Sequence, residues 1–122
     1  MLNKDDFQAV FKKLKSILNK YEPYLTLTGD KAGAYSLDAG FSGKYKRVVF
    51  FGSVQIKKNY VSFYLMPVYV FPELLKGISL DLKKRMQGKS CFNFAAADEK
   101  IFSELAQLTK KGFDKFKQEG LV

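Results

Sequence analysis

Histidine is absent from this chain of 122 residues, and with it the commonest general base, pH switch and metal ligand. Ser–His–Asp and Cys–His nucleophile schemes and ordinary zinc sites are thereby excluded. Tryptophan is absent too, and cysteine occurs once, at Cys91, so no internal disulfide can form; that usage agrees with a reducing compartment. Arginine occurs twice, at Arg47 and Arg85, far apart in sequence. The remaining 19 basic residues are lysines, point charges without the planar fork that reads guanine, so sequence-specific nucleic-acid recognition is not expected. No apolar run is long enough to cross a bilayer: VVFFGSVQI and YVSFYLMPVYVF are short and interrupted, and MLNKDDF carries acids where a signal peptide needs a basic and then an apolar stretch. A cytoplasmic protein without a membrane partner is expected.

What is present is a globular composition, 47% hydrophobic and 16% aromatic through twelve Phe and seven Tyr, which argues for a packed aromatic core rather than disorder. The length suits one domain, residues 1–122, that buries roughly two-thirds of the surface of its unfolded chain. The net charge of +9 favours anionic partners in general without naming one.

Periodicity sets out the elements. Asp5 or Asp6 is expected to cap a first helix whose buried stripe is Phe7, Val10, Phe11, Leu14, Ile17 and Leu18, ended by Pro23. YLTLT and AYSLD read as short strands around a turn from Gly29 to Gly33, and FSGKY as a loop leading to the two longest strands. In Lys46 to Lys58 the even positions Val48, Phe50, Val54 and Ile56 form a continuous apolar face. After a Lys57-Lys58-Asn59 turn, Val61, Phe63 and Leu65 take the core face, and Pro67 marks an edge, a bulge or the strand's end. Pro72 opens a short helix closed by Gly77, and Ser79 caps a second, SLDLKKRMQ, which runs into Gly88. KSCFNF is the last strand, and Asp98 caps a final helix with the stripe Ile101, Leu105, Leu108, Gly112 and Phe116, widened by Phe102 and Phe113. The order α-β-β-β-β-α-α-β-α is that of an α+β domain, an antiparallel sheet flanked by N- and C-terminal helices.

Few residues in this pattern carry chemistry. Gly88-Lys89-Ser90 matches the end of a P-loop, but the glycine required five positions earlier is Lys83, and the order helix-then-strand is reversed. Gly88 reads instead as the left-handed end of a helix with Lys83, Lys84 and Arg85 in its last turn; an anion site on these cations and Lys89 is the alternative. Cys91 in a strand reads as a small buried hydrophobe, and only a lowered pKa, with Lys89 as its cause, would make it an enzyme's nucleophile. The acid pairs Asp5-Asp6 and Asp98-Glu99 sit at helix starts and read as dipole partners; neither supplies a dedicated cation site. The feature that stands out is the second sheet face, where Val49, Phe51, Tyr60, Tyr64, Met66, Cys91 and Asn93 mix apolar and polar groups. Tyr60, Tyr64, Met66, Cys91 and Asn93, with Lys89 at the rim, are the candidate binding residues for a small anionic or aromatic ligand or a protein partner, without enzymatic activity and without a cofactor. A covering helix or a symmetric homodimer are the other ways such a face is accommodated.

The strings YVSFYLMPVY and PELLKGISLDLKKRMQGKSCFNF, followed by a helix of pattern D-x-x-x-x-x-EL-x-x-L, resemble the YdhG-like family of small bacterial proteins, a domain of unknown function. The likeness is carried by the second half of the chain, and the N-terminal helix and meander fit more loosely. It implies a curved antiparallel sheet flanked by helices and, for some members, a role as a frataxin-like intracellular iron chaperone. The metal ligands of that alternative would be Asp98 and Glu99, yet such iron binding relies on a ridge of carboxylates and this chain is strongly basic.

Overall fold

Both terminal helices form where the three-four spacing of apolar residues places them. The computed structural model describes residues 4–122, and in it α1 spans Lys4–Leu18 and α4 spans Glu99–Gln118. Between them lie a 3-10 helix Asn19–Tyr24, β1 (Thr26–Lys31), β2 (Ala34–Ser42), β3 (Arg47–Ile56), β4 (Val61–Leu65), α2 (Met66–Val70), a second 3-10 helix Pro72–Leu75, α3 (Leu80–Lys83) and β5 (Cys91–Phe94). The strands make one open antiparallel sheet in the order β1-β2-β3-β4-β5, which gives an α+β fold with helices at both ends of the chain.

The expected stripes of α1 and α4 are buried throughout, and they share one core with Val54, Val61, Phe63, Leu65, Phe92 and Phe94 of the sheet. Phe51 is central to it, meeting Phe113 and Phe116 of α4 edge-on at centroid separations of 6.0 and 5.8 Å. Phe94 meets Phe102 in the same way at 5.0 Å. Fully burying each such side chain contributes about 1.5–3 kcal/mol. Tyr35 of β2, buried beneath Lys15, donates its hydroxyl to Glu22 at 2.6 Å and so ties the 3-10 helix after α1 to the sheet.

The faces of β3 depart from the strict alternation expected of it. Leu37 of β2 is opposite Gly52, but Asp38 is opposite Phe50, so Phe51 is an extra residue, a β-bulge. A one-residue slip moves every following side chain to the other face. Val49 and Phe51, expected on the second face, are therefore buried in the core, while Val48, expected in the core, is 52% exposed and Phe50 half-buried. Val54 keeps its predicted core position because it lies on the other side of the bulge. A further bulge, between Asp38 and Phe41, brings Phe41 opposite Val48, and Phe41 is 67% exposed.

Several boundaries also differ. Gly29, Asp30 and Lys31 belong to β1, so the first turn is only Ala32-Gly33, and β2 continues through Phe41 and Ser42 into what reads as a loop. Asp5 and Asp6 lie inside α1 rather than ahead of it. Asp98 does cap α4, its carboxylate accepting from the backbone N–H of Lys100 and Ile101 at 3.1 Å each. Ser79 caps α3 by accepting from the Leu82 N–H at 3.1 Å, and Glu104 of α4 accepts from both its hydroxyl and its N–H. That helix stops at Lys83, well short of Gly88. Arg85 to Gln87 instead pair with β5: the Asn93 N–H donates to the Arg85 carbonyl at 2.8 Å and the Gln87 N–H to the Cys91 carbonyl at 2.9 Å. Gly88, at φ 81°, is thus the left-handed residue of a hairpin turn, and its partner strand covers the outer edge of β5.

Gly112 permits a close approach of α4 to the first turn of α2, since a Cβ there would lie 2.8 Å from Pro67 Cβ. Gly112→Ala gains about 1 kcal/mol of helix propensity, against roughly 1–3 kcal/mol or more for forcing α4 off Pro67. Urea unfolding is expected to show a net loss of stability; an unchanged or higher midpoint would mean that the contact yields freely.

Candidate functional site

Two neighbouring regions emerge from the sheet beyond the core. The first is a polar cluster on the face turned away from α1 and α4, built by the alternation of β3, β4 and β5. Tyr64 is opposite Cys91 and Ser62 opposite Asn93, so three of the candidate residues, Tyr64, Cys91 and Asn93, are brought together. Asn93 Oδ1 accepts from the Ser62 hydroxyl at 2.7 Å and from Cys91 Sγ at 3.3 Å, while Asn93 Nδ2 donates to Gln87 at 2.7 Å. Lys57 donates to Gln55 at 2.9 Å, and its ammonium stands 6.0 Å from the Tyr64 ring centroid. These groups satisfy one another, which is the arrangement of a structural network more than of a receptive surface.

The other three candidates are elsewhere. Tyr60 lies in the β3–β4 turn, where its carbonyl accepts from the Lys57 N–H, and Lys89 is exposed in the turn before β5. Met66 does not continue β4; it starts α2, with Pro67 behind it. Burial pushes the Cys91 thiol up from its ordinary value, and hydrogen bonding by Ser62 and Tyr64 together with the charge of Lys57 oppose that shift without overcoming it. The thiol is therefore held neutral, and Lys89 is not among the groups acting on it.

The second region follows from a difference in strand length. β3 has ten residues and β4 five, and their last pair is Gly52 with Leu65. Beyond it the chain enters α2 at Met66 and Pro67, which cannot donate to a ladder, so the half-strand from Arg47 to Phe51 has β2 on one side and no strand on the other. The gap between that edge and α2 is a cleft of about 310 Å³. One wall is Val49 and Phe50 with Tyr45 and Arg47 at the mouth; the other is Met66, Tyr69 and Val70 of α2. Phe41 and Val48 extend the exposed apolar surface beside it. Arg47 forms no ion pair among the described residues. Of the cleft's residues Met66 is the one candidate binding residue read from sequence, with Val49 read on the same sheet face; the signal for the rest is a long apolar strand followed by a shorter one that a proline cuts off.

A groove of about 510 Å³ lies between the first 3-10 helix and α4, but its groups are already engaged: Lys110 is paired with Asp114 at 2.9 Å, and Tyr21 and Tyr24 pack at a tilt against Phe113. The acids implied for iron are likewise engaged, Asp98 in capping α4 and Glu99 with Lys13 of α1. Among the described residues no three His, Cys, Asp or Glu side chains are grouped to hold a metal ion, and no helix is long and apolar enough to cross a membrane. No family model matches the chain, and neither a curated protein nor a solved structure matches it.

The neutral Cys91 thiol gives a direct measurement. Its raised folded-state pKa favours the protonated form in the fold, a contribution complete below the unfolded thiol's value of about 8.5 and lost as pH rises through the folded value. At pH 7 an aromatic disulfide reagent is expected to label the folded protein at least about tenfold more slowly than the urea-unfolded chain. Equal rates would show an accessible, activated thiol.

Proposed function

We propose that this chain is a non-enzymatic, cytoplasmic binding domain related to the YdhG-like family, and that it takes a small ligand in the cleft between β3 and α2. The observation that carries the reading is the half of β3 left without β4 beside it, which turns the end of a sheet into a concavity with mostly apolar walls and a free guanidinium at its mouth. A few polar groups over an apolar lining is the usual composition of a small-molecule site, and the volume lies at the low end of the roughly 300–1,000 Å³ such sites span. The chemistry of the chain supports binding over catalysis: it has no histidine, and its one thiol is held neutral.

A neutral solvatochromic dye such as Nile red tests the cleft without involving charge. Saturable binding at one dye per chain is expected, weakened about tenfold by Tyr69→Asp, an exposed position in α2, with the circular dichroism unchanged. No saturable binding, or binding indifferent to that substitution, would sink the proposal.

Iron carriage, which the family resemblance implies for some members, draws no support from the placement of Asp98 and Glu99. Titration with ferrous iron at physiological salt is expected to reveal no stoichiometric site tighter than about 1 μM, some 8 kcal/mol of binding. A tight site lost in Asp98→Asn with Glu99→Gln would reverse the ranking.

A further inference from the structure

The geometry points to a small aromatic carboxylate as the ligand of the β3–α2 cleft, with Arg47 as the residue that selects it. The inference rests on the binding reading above and adds the chemical class. Its first ground is charge. Arg47 stands at the mouth of an apolar cleft whose lining contains no carboxylate, and it has no ion pair among the described residues. Asp38 is paired across the ladder with Phe50, and Glu119 borders the neighbouring concavity around Ser42 to Tyr45 and lies 4.0 Å from Lys115, but neither carboxylate lines the cleft or is ion-paired with Arg47. A guanidinium facing apolar walls is matched by an anion with a planar, two-oxygen head, which it grips through parallel hydrogen bonds.

The second ground is that only one cation lines the cleft. Lys44 and Lys46 belong to the same β2–β3 turn but are exposed on it and do not line the cleft, and the Lys44 ammonium is already 5.5 Å from the Tyr45 ring centroid. One guanidinium balances a monoanion; a phosphate, dianionic near neutral pH, calls for more donors than the walls hold. The third ground is the walls themselves. Tyr45, Phe50 and Tyr69 present rings on both sides, which suits a flat apolar body able to pack edge-to-face or offset against them. A single-stranded nucleic acid would also use exposed rings and cations, but it needs a groove of charge tracking several phosphates, and Arg47 is the one cation among the residues lining this cleft.

The probes are 2-naphthoate and its uncharged counterpart 2-naphthalenemethanol, titrated by fluorescence at low salt against the wild type and Arg47→Gln, a substitution at an exposed position. The wild type is expected to bind naphthoate about tenfold more tightly than the alcohol, and Arg47→Gln to bring the affinities for the two probes level. Equal affinities for the two probes in the wild type, with Nile red still bound, would overturn the carboxylate assignment and leave the cleft reading standing. A preference that survives Arg47→Gln would overturn the role of Arg47. Displacement of naphthoate by a short single-stranded oligonucleotide at near-stoichiometric concentration would overturn the small-molecule assignment in favour of nucleic acid.

Discussion

The extra residue at Phe51 is the constraint on which the rest of this structure depends. A strand that alternates strictly from Arg47 to Ile56 would send Phe51 out into solvent and Phe50 into the core. The bulge allows one strand to serve two patterns: Val54 faces inward on one side of it, and Phe51 and Val49 on the other. Phe51 then fills the space between the sheet and α4, where its contacts with Phe113 and Phe116 close the core. The same slip turns Val48 and Phe50 outward, and the unpaired edge of this half-strand, at Arg47, Val49 and Phe50, makes one side of the cleft. Core and candidate site are therefore two consequences of one register shift.

The second constraint is that the ladder between β3 and β4 stops early. Pro67 has no N–H to give and is packed against Gly112 of α4, so the chain leaves the sheet where α4 passes close by. An exposed strand edge is ordinarily a liability for association. At the far side of the sheet the β5 edge is paired by Arg85 to Gln87, whereas at β3 the open edge is flanked by a five-residue helix that leaves room between. The two edges show opposite solutions: one is sealed by backbone, the other is kept as a concavity.

Charge is distributed in keeping with this plan. Lysines occupy the exposed sides of α1 and α4, where ion pairs such as Lys13–Glu99 and Lys110–Asp114 are solvent-exposed and contribute little each, about 0–1 kcal/mol. Arg47 differs from them in type and in place, being a guanidinium beside aromatic walls. The polar cluster of Ser62, Asn93, Cys91 and Gln87 shows the contrast, since there the polar groups have found one another and the thiol stays protonated.

The amino-acid sequence by itself determined the two terminal helices and most of the core. The stripes Phe7 to Leu18 and Ile101 to Phe116, the caps at Ser79 and Asp98, and the inward residues of β4 and β5 follow from local periodicity and capping chemistry, which neighbouring residues decide among themselves. Of the candidate site, Met66 and the mixed character of the Tyr64, Cys91 and Asn93 face were legible for the same reason. The face of Val48 to Phe51 was not, because a bulge is set by the register against β2 and by the space beneath α4, partners remote in the chain. The hairpin at Gly88 was hidden likewise: Lys83 to Gln87 has good helix formers, but Arg85 to Gln87 gain backbone partners on β5 that no local pattern announces. The cleft, too, was decided by tertiary structure alone, since it is the space left when two strands of unequal length meet a helix that a proline has started.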